Sequence, residues 1–337
     1  MKPPLRFAIA YDLRNPPESG MSNPELYAAT LEQMVWLDEL GLDAVWFTEH
    51  HFVEDGYLPS WLPLASAAAG QTQRLRFSTD ICLLPFNHPI RLAEDLAVLD
   101  NLSNGRVEIG AGMGYAPHEF RGFGVPFSRR VSLMDEGLEV LRLCFGGERF
   151  SFHGKRYQFK DVKISPGYVQ PGGPPLWIAA MSAAGARRAA RFDGGLLPQG
   201  PREQVLDPWR EALRATNRDP DSYRVGIIRG ILVTDDADRD WPMVRASERY
   251  RMKLYQRFAE ESGEGLNAGE RIPQTWIVGD ADHCIRELCD FIRDYGVTDI
   301  ATWGAPPGLR PEQLNQSLEQ LAQRVIPGVR HQLEAAP

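Results

Sequence analysis

Apolar and polar positions come in blocks along this chain, and the blocks change period in a regular order. Short, almost continuously apolar runs at residues 7–11, 44–47, 75–84, 107–109, 176–180, 195–197, 225–233 and 299–303 have the length and composition of strands. Between them the apolar positions recur at helical spacing, as in Leu31, Met34 and Val35, then Leu92, Leu96 and Leu99, then Val131, Met134, Leu138 and Leu141. Punctuation supports the helices. Asn23 is the expected N-cap with Pro24 at the first position, and Gly41 is the stop. Pro89 opens the next helix, Asn104-Gly105 closes it, Ser128 caps another, and a last helix is expected over 311–325. Strands that stay apolar throughout and alternate with helices predict a parallel sheet covered by helices. Eight of them fit a (β/α)8 TIM barrel, with an open doubly wound sheet as the competing arrangement.

Two stretches interrupt the alternation. In 146–175, Phe150 and Phe152 alternate on one side of His153-Gly154, and Tyr157 and Phe159 on the other, which predicts a hairpin insertion. Residues 237–275 are long, charged and rich in Arg and Glu, and predict a helix followed by an irregular, lid-like insertion. Both read as insertions in one domain spanning 1–337.

Composition narrows the function. The length of 337 residues suits a barrel with insertions, and a formal net charge of −8 argues against a nucleic-acid partner. Arg187, Arg188 and Arg191 read as a solvated helix face. Cys82, Cys144, Cys284 and Cys289 form no CxxC pair, and Cys289 shares an apolar helix face with Ile285, Leu288 and Ile292, so the thiols suit a reducing cytoplasm. No signal-like segment precedes the first strand and no apolar run is long enough to cross a membrane, so a cytoplasmic location without membrane contact is expected.

The chemistry-bearing segments fall after the predicted strands, where a barrel collects its active-site residues. Thr48-Glu49-His50-His51-Phe52 follows the second. In extended backbone Glu49 and His51 point one way and His50 the other, so one histidine at most faces a pocket. A metal site would need further ligands from other strand ends; His118-Glu119 lacks the HExxH spacing, and no metal is expected. Gly110-Ala111-Gly112-Met113-Gly114 permits close approach of a ligand to the backbone, but its GxGxG spacing is not the dinucleotide fingerprint. Met181-Ser182-Ala183-Ala184-Gly185 begins a helix after the fifth strand, a natural phosphate cradle in which Ser182 also serves as N-cap. Arg129 and Arg130 are candidates to add positive charge there. Asp80 places a carboxylate inside an otherwise apolar strand, and His88 is expected to cap the helix opened by Pro89.

Taken together, these segments resemble the bacterial luciferase-like flavin monooxygenases over nearly the whole chain. The resemblance is carried by Trp46 to Phe52, by Leu84-Pro85-Phe86-Asn87-His88-Pro89 with Glu94-Asp95 and Leu99-Asp100, by Leu102 to Arg106, by Gly110-Ala111-Gly112, and by Met181 to Ala184. It implies a (β/α)8 barrel that binds FMN, reduced by a separate NAD(P)H:flavin reductase, and a homodimer. It implies that His50 is the catalytic histidine, that Asp80-Ile81 forms a cis peptide beneath the flavin ring, that Met181, Ser182 and Gly185 make the phosphate turn, and that Arg129 binds the phosphate. Gly112 and Tyr115 would border the cofactor, and Phe47, Phe52, Phe86 and Tyr115 would wall a dry pocket. The implied chemistry is reaction of reduced FMN with oxygen to a C4a-hydroperoxide, then hydroxylation, epoxidation or Baeyer–Villiger oxidation of a small organic substrate. The chain departs from luciferase at Gly112, where luciferase has a reactive cysteine, at Met113, where it has an arginine, and at Met181 and Gly185, where it has Glu and Thr; aldehyde light emission therefore does not follow. Two other readings remain open: a deazaflavin (F420)-dependent oxidoreductase that moves hydride, and a non-catalytic flavin-binding protein.

Overall fold

The computed structural model describes residues 2–263 and 276–334. Its centre is a ring of parallel strands. β1 (Arg6–Tyr11) pairs on one side with β2 (Ala44–Phe47), which pairs with β3 (Arg76–Thr79). A second group runs β4 (Cys82–Leu83), β5 (Ile109–Gly112), β8 (Leu176–Ala180) and β9 (Gly195–Pro198). A bridge from Phe77 to Val107 joins the groups on one side. On the other, a bridge from Leu196 to Val225 leads into β10 (Gly226–Ile228), which pairs with β13 (Asp299–Trp303), and β13 returns to β1. The ring therefore closes, and the open-sheet alternative is excluded.

Both faces of these strands are buried, which is why they read as unbroken apolar runs. On β1, Phe7, Ile9 and Tyr11 join the outer core under the helices, while Ala8 and Ala10 point inward. Inside, the small Ala8, Ala10, Ala44 and Ala301 leave room for Trp46 and Trp177, whose ring centroids are 5.9 Å apart.

The outer layer consists of α1 (Asn23–Leu40), α2 (Trp61–Ala69), α3 (Pro89–Ser103), α4 (Pro117–Gly122), α5 (Arg130–Phe145), α6 (Ala183–Arg191), α7 (Arg202–Arg214), α8 (Ala237–Ser262) and α9 (Ala281–Tyr295), with a further helical segment from Pro311 to Glu334. The 146–175 insertion holds the antiparallel hairpin of β6 (Phe150–His153) and β7 (Gln158–Val162). None of the described helices is long and apolar enough to cross a membrane.

Several boundaries differ from the sequence expectation, each for a local reason. The cap of α1 is Ser22 rather than Asn23, because Ser22 and Glu25 form a reciprocal capping box. A single 3-10 turn at Phe127–Arg129 precedes α5, so Ser128 is not its cap. His88 holds the N-cap position of α3 without a side-chain hydrogen bond. The third strand breaks between β3 and β4 at a cis Asp80–Ile81 bond. The seventh breaks at Arg229-Gly230, where the Trp276 ring lies so close that a Cβ on Gly230 would meet it at 2.3 Å. Its upper half, β11 (Ile231–Val233), then pairs with a strand the sequence did not reveal, β12 (Ile277–Gly279). The helical part of the 237–275 insertion is α8; the irregular part, 264–275, lies outside the described residues.

The N-terminal ends of the strands are tied by charge. Buried Glu108 accepts from Arg6 Nη1 at 2.7 Å, from Arg76 Nε at 2.5 Å and from Trp177 Nε1 at 2.9 Å. Burial alone would raise its pKa, but the two guanidiniums outweigh this and draw the carboxyl down to about 2. A depressed carboxylate stabilises the fold above its unfolded value, and that contribution is lost as pH falls through the folded value. Glu108→Gln should therefore cost roughly 3 kcal/mol at neutral pH, the range for breaking a buried ion pair. Thermal melts should show this deficit shrinking between pH 4.5 and pH 2; a deficit independent of pH would contradict the assignment.

Candidate active site

The opposite, C-terminal ends of the strands form a mouth in which several of the singled-out residues meet. After β2 the chain turns sharply, with Phe52 in left-handed backbone (φ 58°), and Glu49, His50 and His51 are all buried. The two histidines diverge, as alternation requires. His51 Nε2 lies 2.9 Å from Glu49 Oε1. His50 Nδ1 lies 2.9 Å from Oε1 of Glu119, a fully buried residue of α4. The same oxygen accepts from the His51 backbone N–H at 2.8 Å. A carboxylate can only accept, so Nδ1 of His50 carries the proton and Nε2 is left for exchange. Glu119 thus fixes both the tautomer and the orientation of the ring.

His50 is enclosed by aromatic rings. The centroids of Tyr57, Phe258, Tyr115 and Tyr255 lie 4.8, 5.0, 5.8 and 6.1 Å from its own. Tyr57 is held by donation from its hydroxyl to Thr48 Oγ1 at 2.9 Å, and its oxygen lies 3.1 Å from that of Tyr255. α8 closes this wall over the site. Its C-terminal end is clamped to α4 through Glu261, which pairs with His118 Nδ1 at 2.9 Å and Arg121 Nη2 at 2.5 Å.

Of the four aromatic walls expected, only Tyr115 touches His50. Phe47 faces outward and stacks on Trp61; Phe52 is 61% exposed; Phe86 packs against Phe120, Phe123 and His51. Sequence reasoning missed Glu119, Tyr57, Tyr255 and Phe258. For α8 a signal existed: Val244, Ser247, Arg251, Leu254 and Phe258 recur three and four residues apart and form its buried face.

The remaining candidates lie around the same mouth. Asp80 follows β3, and Gln199 Nε2 stands 3.5 Å from its Oδ2. Desolvation pushes the Asp80 carboxyl up to about 7, although the residue keeps some exposure. Glycine is required at two places in β5. A Cβ on Gly110 would meet the Thr79 carbonyl oxygen at 1.9 Å, and one on Gly112 would meet Ile81 Cδ1 at 1.6 Å. The space of the luciferase cysteine is thus filled by Ile81. Ser182 caps α6, its Oγ accepting from Gly185 N at 3.4 Å, and both Met181 and Ser182 are exposed. Arg129 is exposed one residue before α5. Asp135 of α5 pairs with Arg188 of α6 at 2.5 Å, and Arg142 near the end of α5 donates to the Phe192 carbonyl at the end of α6, so the two helices run in the same direction with Arg129 and Ser182 both at their starts. Backbone amides at a helix start with an arginine at the same end suit a phosphate.

The mouth of the barrel thus gathers a histidine, its buried carboxylate partner and an aromatic wall, with no thiol at Gly112. The chain belongs to the luciferase-like monooxygenase family, whose model matches residues 6–299. The uncharacterised protein y4vJ of Sinorhizobium fredii is 33% identical over 50% of this chain and 48% of its own length. The alkanal monooxygenase alpha chain of Photorhabdus luminescens is 32% identical over 48% of this chain and 46% of its own. The chain thus spans about half the length of these curated relatives. The F420-dependent glucose-6-phosphate dehydrogenase of Amycolatopsis mediterranei is 26% identical over 89% of this chain and 94% of its own. Among solved structures, monooxygenase RslO1 from Streptomyces bottropensis superposes with a TM-score of 0.83 at 26% identity, covering 96% of this chain and 99% of that one. The oxygenating constituent of 3,6-diketocamphane monooxygenase from Pseudomonas putida, in complex with FMN, shares the fold with a TM-score of 0.77 at 20% identity, covering 97% and 99%.

The raised Asp80 carboxyl carries a stability signature with a definite sign. The fold prefers the protonated form, so the favourable contribution is present below the unfolded value of 3.8 and is lost as pH rises to about 7. Asp80→Asn should raise the melting temperature by an amount that grows from pH 4 to pH 7 and then levels off. A gain that is flat across this range would show that Asp80 is solvated.

Proposed function

We propose that this protein is an FMN-dependent monooxygenase that uses reduced flavin and O2 to oxygenate a small organic molecule. The observation that carries the reading is His50, locked through Nδ1 by buried Glu119 inside a box of four aromatic rings at the end of β2. Bound reduced FMN would supply the electrons and the carbon at which oxygen is activated. The protein's share is positioning, exclusion of water and movement of one proton. Asp80, Ile81 and Gly112 would border the flavin ring, with Tyr115 at its edge. Met181, Ser182 and Gly185 would hold the phosphate through backbone amides and the Ser182 hydroxyl, with Arg129 as countercharge. His50 Nε2 would exchange a proton with substrate or cofactor, while Glu119 holds the ring through Nδ1. The aromatic box keeps water from the reacting atoms.

The reading includes a separate NAD(P)H:flavin reductase and a cytoplasmic homodimer. Exposed Val98 and Leu102, four residues apart on α3, support a second copy on that helix. One observation favours a second reading, hydride transfer with a deazaflavin: the F420-dependent dehydrogenase matches along 89% of this chain, whereas the alkanal monooxygenase matches along 48%.

Anaerobic titration with reduced FMN, reduced riboflavin and a reduced deazaflavin separates these readings. FMN should bind more tightly than riboflavin, which lacks the phosphate. Arg129→Ala should weaken FMN about tenfold, or ~1.4 kcal/mol, and leave riboflavin unchanged. Binding of the deazaflavin with none of FMN would overturn the monooxygenase reading in favour of hydride transfer.

A further inference from the structure

The flavin reading makes no use of a cleft of about 180 Å³ between the loop that follows His50-His51 and one face of α8. Sites for drug-sized ligands run from roughly 300 to 1,000 Å³, so the occupant of this one is small. Tyr250, Lys253 and Arg257 line it from α8, three and four residues apart and therefore on one face. Arg14 lines it from the barrel side. The Arg14 side chain is only 3% exposed, and its guanidinium carbon lies 4.7 Å from the Tyr250 ring centroid. Its Nε and Nη2 are both taken by Asp55, at 2.8 and 2.7 Å, whereas Nη1 has no partner. A buried donor left unpaired is costly, and a guanidinium nitrogen can only donate, so the missing partner is an acceptor.

Charge selects the kind of acceptor. Three cations line the cleft, Arg14, Lys253 and Arg257, against two anions, Glu54 and Asp55, which leaves one positive charge on a chain whose net charge is −8. Asp55 is already engaged: its Oδ2 accepts from Arg14 and from the Tyr250 hydroxyl at 2.9 Å, although its Oδ1 has no partner. Lys253 and Arg257 are exposed and stand one turn apart, where like charges repel. Among the described residues Lys253 makes no ion pair, and Arg257 only approaches the Phe258 ring, at 6.0 Å. Asp12 acts on Arg14 from behind but lines no part of the cleft, and burial pushes its carboxyl up to about 6. Val53, Leu254 and the Tyr250 ring add apolar surface. A small anion with an apolar body therefore matches the cleft, and a cation does not.

We propose that this cleft binds a small organic carboxylate, at a place separate from the phosphate turn at Ser182. His50 does not line the cleft, but its neighbours connect the two. The Arg14 guanidinium lies 5.7 Å from the Tyr57 ring centroid, the Tyr57 ring packs on His50, and Leu254 shares a core cluster with Tyr57 and Phe258. An acid held there ties the loop after β2 to α8, the two elements that enclose His50. Its binding does not require flavin, so loss of FMN binding in the titration above would leave this site standing, and failure of the site would leave the flavin reading standing.

The test is equilibrium dialysis of the flavin-free, full-length protein against benzoate and its neutral counterpart benzamide. Benzoate should bind at least tenfold more tightly, since the two share a shape and differ in charge. Lys253→Ala combined with Arg257→Ala should weaken benzoate about tenfold and leave benzamide unchanged. Arg129→Ala, at the phosphate turn, should leave benzoate unchanged. Thermal melts check that the variants fold; the double variant alters exposed side chains only, and the comparison of the two probes on the unaltered protein decides even where a variant does not fold. Equal binding of benzoate and benzamide, binding of neither, unchanged benzoate affinity in the folded double variant, or loss of benzoate in Arg129→Ala, which would put the acid at the phosphate turn, would each overturn the proposal.

Discussion

Closure of the parallel strands is the constraint on which the rest of this molecule depends. Once the ring closes, every strand is covered inside by other strands' side chains and outside by helices, and a charge left in its interior is costly. Charge is driven to the two ends. At the N-terminal end it is spent on stability: Glu108, Arg6, Arg76 and Asp299 neutralise one another where strands begin. At the C-terminal end, Asp12, Glu49, His50, Asp80 and Glu119 gather at the mouth with fewer compensating partners, which is where chemistry is available.

The site at that mouth is built by long-range pairing. His50 and Glu119 are 69 residues apart, and α8 brings Tyr255 and Phe258 from the far end of the chain. The Glu119 carboxylate holds both the His50 ring and the backbone after it, so turning the imidazole breaks one of the two hydrogen bonds to a buried carboxylate oxygen. Glu261 then couples the placement of α8 to that of α4, so the aromatic cover and the histidine's partner are set by one clamp.

How much of this was legible follows from the range of each interaction. β2, β8 and β13 were readable to the residue because burial on both faces leaves an unbroken apolar run. The breaks at Asp80–Ile81 and Arg229-Gly230 were not, because the runs stay apolar across them and the second break is made by the distant Trp276. The divergence of His50 and His51 followed from two-residue periodicity alone, and the Ser182 cap from its position before a helix. Glu119 was invisible: a glutamate on a short helix says nothing local about a histidine 69 residues earlier. The aromatic walls were misassigned because proximity along the chain, as with Phe47 and Phe52, says little about which side of a strand or loop a ring takes.

The central claim is that this mouth shelters a reduced flavin and that His50 acts upon it. Stopped-flow mixing of the anaerobic complex of protein and reduced FMN with oxygenated buffer tests it most directly. The account predicts that the oxidised-flavin spectrum returns far more slowly than for free FMN, and that the time course changes in His50→Ala while FMN stays bound. Return at the rate of free flavin, with FMN bound, would contradict the account.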